Sequence, residues 1–197
     1  MYLFLDTETT GLPARFDAPA SDSANWPRMV QIAFLRCNKS GKVIEKGNHI
    51  IRPEGFTIPE EVVRIHGIST RKALRQGISL EKALVEFSCH LEDSEMLIGH
   101  NIGFDQGIVG AEFHRKGFYE SADVLDQIDK FCTMKGSAAY CRIPGQRGFK
   151  WPRLSELHMS LFRKGFRHAH DAMKDVEICR KCFFKLREMG AIREIDC

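Results

Sequence analysis

The sequence has no long apolar run: its apolar stretches end at lengths such as the four residues "IAFL" (32–35), far short of the ~20 a spanning helix needs. No membrane association is expected. The opening "MYLFLD" has no basic leader, and its apolar segment is cut by Asp6 and Glu8, so it does not read as a secretory signal. The seven cysteines are an odd and scattered set, which argues against a disulfide framework and for reduced thiols in the cytoplasm. Repeats and low-complexity tracts are absent. Neither sign of charge dominates, because 29 basic and 26 acidic residues leave a net +3. What is present is 197 residues, 43% hydrophobic and 28% charged. Those proportions predict one domain over 1–197 with a substantial core, neither disordered nor fibrous.

The charge is unevenly placed. From Arg142 to Arg167 there are seven basic residues against one acid, Glu156, so this segment is +6 and the remainder −3. Phe149, Trp151, Phe162 and Phe166 are interleaved with those charges. Cations pair with phosphates and aromatic faces stack on bases, so the mixture suits a nucleic acid. It also suits a solvated basic face over ordinary core aromatics, and composition alone does not separate the two.

Residues 2–6 read as a strand, and "MVQIAFLRCN" and "KVIEKGNHIIRP", joined by the turn-forming "NKSG", predict a hairpin over 29–52. Leu80, Leu84, Phe87 and Leu91 recur at helical spacing behind Ser79 as N-cap. A short strand, "EMLIGH", feeds a helix over about 103–116, another short strand lies near "KFCTM", and "RLSELHMSLF" begins a further helix. Ala172, Val176, Cys179, Phe183 and Leu186 trace an apolar stripe along a terminal helix over 171–189. Strands first, then strands alternating with helices, predict an α/β fold with a mixed sheet covered by helices. Residues 13–28, with three prolines, form a long loop of the kind that is usually functional or disordered.

The chemistry starts at "FLDTETTG" (4–11). Side chains alternate along a strand, so Asp6 and Glu8 project from one face. Two adjacent carboxylates repel unless a cation intervenes, and hard oxygen donors suit Mg²⁺ or Mn²⁺. A D-x-E pair alone is weak evidence, because strand ends commonly show acids to solvent. Two further acids strengthen it. "GHNIGFD" carries Asp105 to the start of a helix directly after a strand, and "HAHDAMKD" puts Asp175 at the start of the terminal helix. Gly103 and Gly107 are expected to let the former helix approach its neighbour closely. Four such carboxylates can surround two divalent ions and serve phosphoryl transfer. His170, five residues before Asp175, has an imidazole suited to deprotonating water near neutrality.

Taken in order, "FLDTETTG", "IHGIS" (65–69), "GHNIGFD" (99–105) and "HDAMKDV" (170–176) resemble the motifs of DEDDh-type 3′–5′ exonucleases. This is the DnaQ-like group that includes bacterial proofreading subunits, RNase T and oligoribonuclease. The resemblance covers roughly residues 2–187 and implies an RNase H-like fold, with a central mixed five-stranded sheet flanked by helices. It further implies that Asp6, Glu8, Asp105 and Asp175 hold two Mg²⁺ or Mn²⁺ ions, with His170 as general base. The substrate-contact region matches "EEVVRIHGIS", which makes Glu61 and His66 candidates for holding the terminal nucleotide. Thr7, Thr9 and Leu12 are candidates for backbone contacts or a wedge against the terminal base. The implied partner is a nucleic acid with a free 3′ end, DNA ahead of RNA, with single-stranded or frayed ends preferred. The loop at 13–28 is longer than the usual connection after the first motif. The absence of an extension after the last helix argues against stable attachment to a polymerase.

Other readings compete with this one. An exoribonuclease acting on RNA or short oligonucleotides keeps the same chemistry. A non-catalytic nucleic-acid-binding module has no need for so many uncompensated acids. An aspartyl phosphotransferase needs a second Asp where Glu8 stands and offers His170 no role. Cys179 and Cys182 form a C-x-x-C without a second cysteine pair at zinc spacing, so core packing is expected of them. His168 reads as a surface side chain and His100 as a structural histidine.

Overall fold

The computed structural model describes residues 1–165 and 171–192 of the chain. Strand β1 (Tyr2–Thr9) leads through the long loop, which holds a short 3-10 turn at Ser23–Asn25, into the hairpin β2 (Met29–Cys37) and β3 (Val43–Ile50). Three helices follow, α1 (Glu60–His66), α2 (Thr70–Gln76) and α3 (Leu80–Glu92). Then come β4 (Met96–Gly99), α4 (Ile102–Lys116), α5 (Tyr119–Gln127), β5 (Asp129–Cys132) and the short helices α6 (Thr133–Gly136) and α7 (Ala138–Cys141). A small hairpin, β6 (Pro144–Gly145) with β7 (Gly148–Phe149), precedes α8 (Leu154–Phe162) and α9 (Ala172–Glu188). The sequence reading anticipated neither α1, α2, α5, α6 and α7 nor this last hairpin.

The main sheet has five strands in the order β3-β2-β1-β4-β5. Strand β2 runs antiparallel to β1 and β3, while β1, β4 and β5 are mutually parallel. It is the mixed, helix-flanked sheet expected. Alternation along β1 sorts its side chains into two cores. Leu3 and Leu5 pack with Leu84 and Phe87 of α3 and Ile108 of α4, whereas Phe4 packs with Val176, Cys179 and Phe183 of α9. The Phe183 ring meets Phe4 edge-on at 5.6 Å, the geometry aromatic quadrupoles favour. Cys179 and Cys182 are both buried in this second core.

Strand β1 does not stop near Asp6. It continues to Thr9 because its ladder with β2 persists through Asp6↔Ala33 and Glu8↔Gln31, shifting register only between Glu8 and Thr9. Both acids therefore sit inside a paired strand. The loop after it is held by buried charge. Glu112 of α4, fully buried, accepts from Met29 N–H at 2.9 Å and pairs with Arg28 and Arg115 at 3.0 Å each. Arg115 in turn donates to the carbonyls of Ser23 and of Trp26, the latter at 2.6 Å. The Trp26 ring fills the space beside Gly107, where an added Cβ would come within 2.1 Å of it. Gly107 thus allows the close approach expected. Gly103 does not, since a Cβ there would meet nothing within 4 Å.

Candidate active site

Three elements deliver acids to one place. Asp6 and Glu8 lie on the face of β1 that Phe4 turns toward α9. Asp171 caps α9 by accepting from Lys174 N–H at 3.5 Å, and this start places Asp175 in the first turn. Ligand oxygens of Asp6, Glu8 and Asp175 all lie within 4.8 Å of one another. Asp105 arrives from the other side. Helix α4 begins directly after β4, at Asn101 in a left-handed conformation (φ 78°), which turns the chain abruptly and sets Asp105 in its first turn. Asp105 is 3% exposed. Its Oδ1 accepts from both the backbone N–H of Thr7, at 2.9 Å, and the Thr7 hydroxyl, at 2.8 Å.

The electrostatics follow from crowding and burial. Asp6 has its carboxyl pushed well above the usual range, first by burial and then by the charges of Asp105, Asp175, Glu8 and Asp171. Burial, with Asp175, Asp105 and Asp171, raises Glu8 to about 8. Burial raises Asp105 to about 7 against the pull of its two Thr7 hydrogen bonds. A set of hard oxygen donors that repel one another in a low-dielectric pocket fits a divalent cation, which relieves both penalties at once. Asp105 stands just outside the three-carboxylate group, yet its charge acts on both Asp6 and Glu8.

The remaining predicted residues are distributed differently. His170 and His168 lie outside the described residues. The Thr7 side chain alternates away from Asp6 and Glu8, and both its N–H and its hydroxyl donate to Asp105. The Thr9 hydroxyl donates to the Gly11 carbonyl at 2.7 Å, shaping the turn after β1. Leu12 is 73% exposed beyond that turn, the exposure a wedge requires. Glu61 and His66 lie on α1, where Glu61 is exposed and His66 Nδ1 accepts from Ile68 N–H at 3.1 Å; neither belongs to the carboxylate group. His100 is structural, its Nδ1 and Nε2 each 3.0 Å from the Thr133 hydroxyl and the Pro152 carbonyl, and burial lowers its pKa to about 4. Asp171 was missed as a contributor to the site's field. Its position directly before an apolar helical stripe is the N-cap signal that marks it.

Comparisons with known proteins place this geometry. The family model RNase_T, described as "Exonuclease", matches residues 3–183. The chain is 27% identical over 190 residues to the 3′-5′ exonuclease DinG of Bacillus subtilis, covering 95% of this chain and 18% of that protein. It is 24% identical over 192 residues to a PolC-type DNA polymerase III of Pediococcus pentosaceus, covering 95% of this chain and 11% of the polymerase. Among solved structures, a zinc-bound complex of Escherichia coli ExoI with single-stranded DNA superposes with a TM-score of 0.73 at 24% identity, over 95% of this chain and 40% of that one. Exonuclease I of Methylocaldum szegediense gives 0.72 at 21%, with the same coverage. The fold is therefore RNase H-like, of the Exonuclease I kind. The chain spans under a fifth of these curated relatives and about two fifths of these solved proteins.

Proposed function

The chain belongs to the RNase T exonuclease family, the DnaQ-like, metal-dependent 3′–5′ exonucleases, and on that premise we propose that it removes nucleoside 5′-monophosphates from the 3′ ends of DNA. Single-stranded or frayed ends are the preferred substrate, and residues 1–197 act as one exonuclease domain. The observation that carries this reading is the convergence of Asp6, Glu8 and Asp175 within 4.8 Å, with Asp105 locked beside them by Thr7. The DNA preference is supported by solved neighbours that hold single-stranded DNA. Among the described residues no helix is long and apolar enough to cross a membrane. The six described cysteines are free thiols, which supports the cytoplasm as the compartment.

Asp6, Glu8, Asp105 and Asp175 would hold two Mg²⁺ or Mn²⁺ ions. When bound, the ions supply Lewis-acid stabilisation of charge on the phosphodiester and make water more acidic. The chain's own residues do the rest. Thr7 orients Asp105 by donating twice to Oδ1, which favours the ionised carboxyl against the rise that burial imposes. His170 accepts the proton of the attacking water. Water adds to the terminal phosphorus, the P–O3′ bond breaks, and the departing 3′ oxygen leaves with a proton, releasing the nucleotide with its 5′-phosphate.

The test is a 5′-labelled panel of single-stranded DNA, duplex, mismatched duplex and RNA, with products resolved by length. Shortening by single nucleotides from the 3′ end, abolished by a chelator and restored by Mg²⁺ or Mn²⁺, is the expected result. Asp6→Asn and Asp175→Asn should each lose orders of magnitude in rate while keeping the parent's circular dichroism. A folded Asp6→Asn protein as active as the parent overturns the assignment, and RNA cleaved faster than DNA moves the substrate class to RNA.

A further inference from the structure

Segment 142–153, "RIPGQRGFKWPR", holds four basic residues and no acid, and it contains the β6–β7 hairpin. Arg142, Arg147, Phe149, Lys150, Trp151 and Arg153 are all exposed. Phe149 and Trp151 are 53% and 58% exposed, so two ring surfaces lie open among the cations. Lys150 is paired with Glu156 at 2.6 Å. Arg142, Arg147 and Arg153 have no ion pair among the described residues. Lys135 of α6 lies 5.3 Å from the Trp151 ring centroid, which adds a fifth cation to the patch and steadies the indole.

The root of this segment is tied to the edge of the sheet where the carboxylates lie. Strands β1, β4 and β5 are parallel, pairing Phe4↔Ile98 and Gly99↔Cys132, so His100 and Thr133, directly after the ends of β4 and β5, stand level with Asp6 inside β1. Adjacent strands are ~4.8 Å apart, which puts His100 one strand from Asp6. His100 Nε2 donates to the Pro152 carbonyl at 3.0 Å. The residue after it, Asn101, begins the helix that carries Asp105. The C-terminal root of the segment, at Pro152, is therefore tied to the residue beside the site. Its turns use left-handed backbone at Gly148, φ 97°, and at Arg142, φ 49°, and its two strands pair Pro144 with Phe149 and Gly145 with Gly148.

We propose that this hairpin is a binding track for the single-stranded nucleic acid that runs back from the scissile 3′ end, with Arg142 and Arg147 on its phosphates and Phe149 and Trp151 stacked on unpaired bases. The proposal deepens the exonuclease reading and rests on it. Cations without rings would serve a duplex equally well. Exposed rings reward only a strand whose bases are unstacked, so a single strand is the occupant.

The parent enzyme is first assayed for shortening of a labelled single strand of about fifteen nucleotides, the length scale of such tracks. Two double variants are then compared with it, Arg142→Ala with Arg147→Ala, and Phe149→Ala with Trp151→Ala. Binding is followed by fluorescence anisotropy in a chelator, across a salt series. Losing two phosphate contacts should lower the slope of log K against log salt by about 1.4, at ~0.7 per contact for single strands. Losing the rings should weaken binding roughly tenfold or more per lost stack and leave the slope in place. Unchanged affinity and slope in both variants overturns the track. So does an equal loss for duplex and single strand, or an equal proportional loss on dinucleotide and long substrates, which marks the hairpin as structural. A parent that shortens no strand refutes the exonuclease reading instead, and the binding series still decides the track.

Discussion

Without divalent cations the carboxylate cluster should make the protein lose stability as pH rises, and the size of the loss follows from the site. Glu8 moves from an ordinary 4.5 to about 8 on folding, and Asp105 from 3.8 to about 7. A carboxyl whose pKa is raised in the folded state binds its proton more tightly there than when unfolded. The stabilisation is fully present below the unfolded pKa and is lost as pH rises through the folded one. Over the window from pH 6.5 to 8.5 these two carboxyls give the largest change. His100, lowered to about 4 by burial, acts in the opposite sense at the low end, where its unfolded form still holds part of a proton. The thiols of Cys37, Cys141, Cys179 and Cys182, whose pKa values burial raises, add to the loss near the upper end as they begin to ionise in the unfolded chain. Each of these groups contributes only about 0.2–0.4 kcal/mol. Integrating proton release across the window gives a loss of about 2 kcal/mol from Glu8 and about 1 kcal/mol from Asp105, with Asp6 acting in the same direction. That is a large share of a typical folding free energy and corresponds to a fall in Tm of roughly 6–12 °C at this size. Urea denaturation in a chelator at successive pH values reads it directly. Millimolar Mn²⁺ or Mg²⁺ should abolish the slope, because a cation keeps these carboxylates ionised and paired in the folded state. Chelated stability that is flat or rises over this window, or a slope that Mn²⁺ leaves intact, refutes the reasoning.

Two further outcomes check the supports around the site. Gly107→Ala should destabilise by about 1–3 kcal/mol through overpacking, since its Cβ would meet the Trp26 ring at 2.1 Å, and should red-shift indole fluorescence as the loop lifts. Gly103→Ala, with open space at the same helix, should stabilise by roughly 0.5–1 kcal/mol; denaturation midpoints of the pair separate the two cases. Thr7→Val removes the 2.8 Å hydroxyl bond to Asp105 while the backbone bond persists. It should lower kcat about tenfold or more with little change in KM, and should move the acidic limb of the pH–rate profile upward, because a hydrogen bond that favoured the ionised carboxyl is gone. A profile superimposable on the parent's would mean that Thr7 only packs.

What could be read from the letters was whatever local periodicity determines. A period of two places Asp6 and Glu8 on one face, and the stripe Ala172, Val176, Cys179 carries Asp175 to the start of a helix without knowledge of any neighbour. The same period implies that the Thr7 side chain points away from those acids, and the fold turns it to Asp105 instead. Other features have no local signal. Gly103 and Gly107 are the same letter on the same helix, and only the arrival of Trp26 from a loop 81 positions away in sequence makes one indispensable and leaves the other free to change. Strand β1 outlasts Asp6 because β2 continues beside it, and pairing of that kind is a property of two segments, not one. The β6–β7 hairpin, with two residues per strand, is too short to show any period. Its cations and rings were visible in the sequence, but their relation to the carboxylates depends on contacts such as His100 to Pro152 and Lys135 to Trp151, which only the folded chain creates. Composition could therefore name the chemistry of that segment, and topology alone could place it along the sheet edge where it bears on the site.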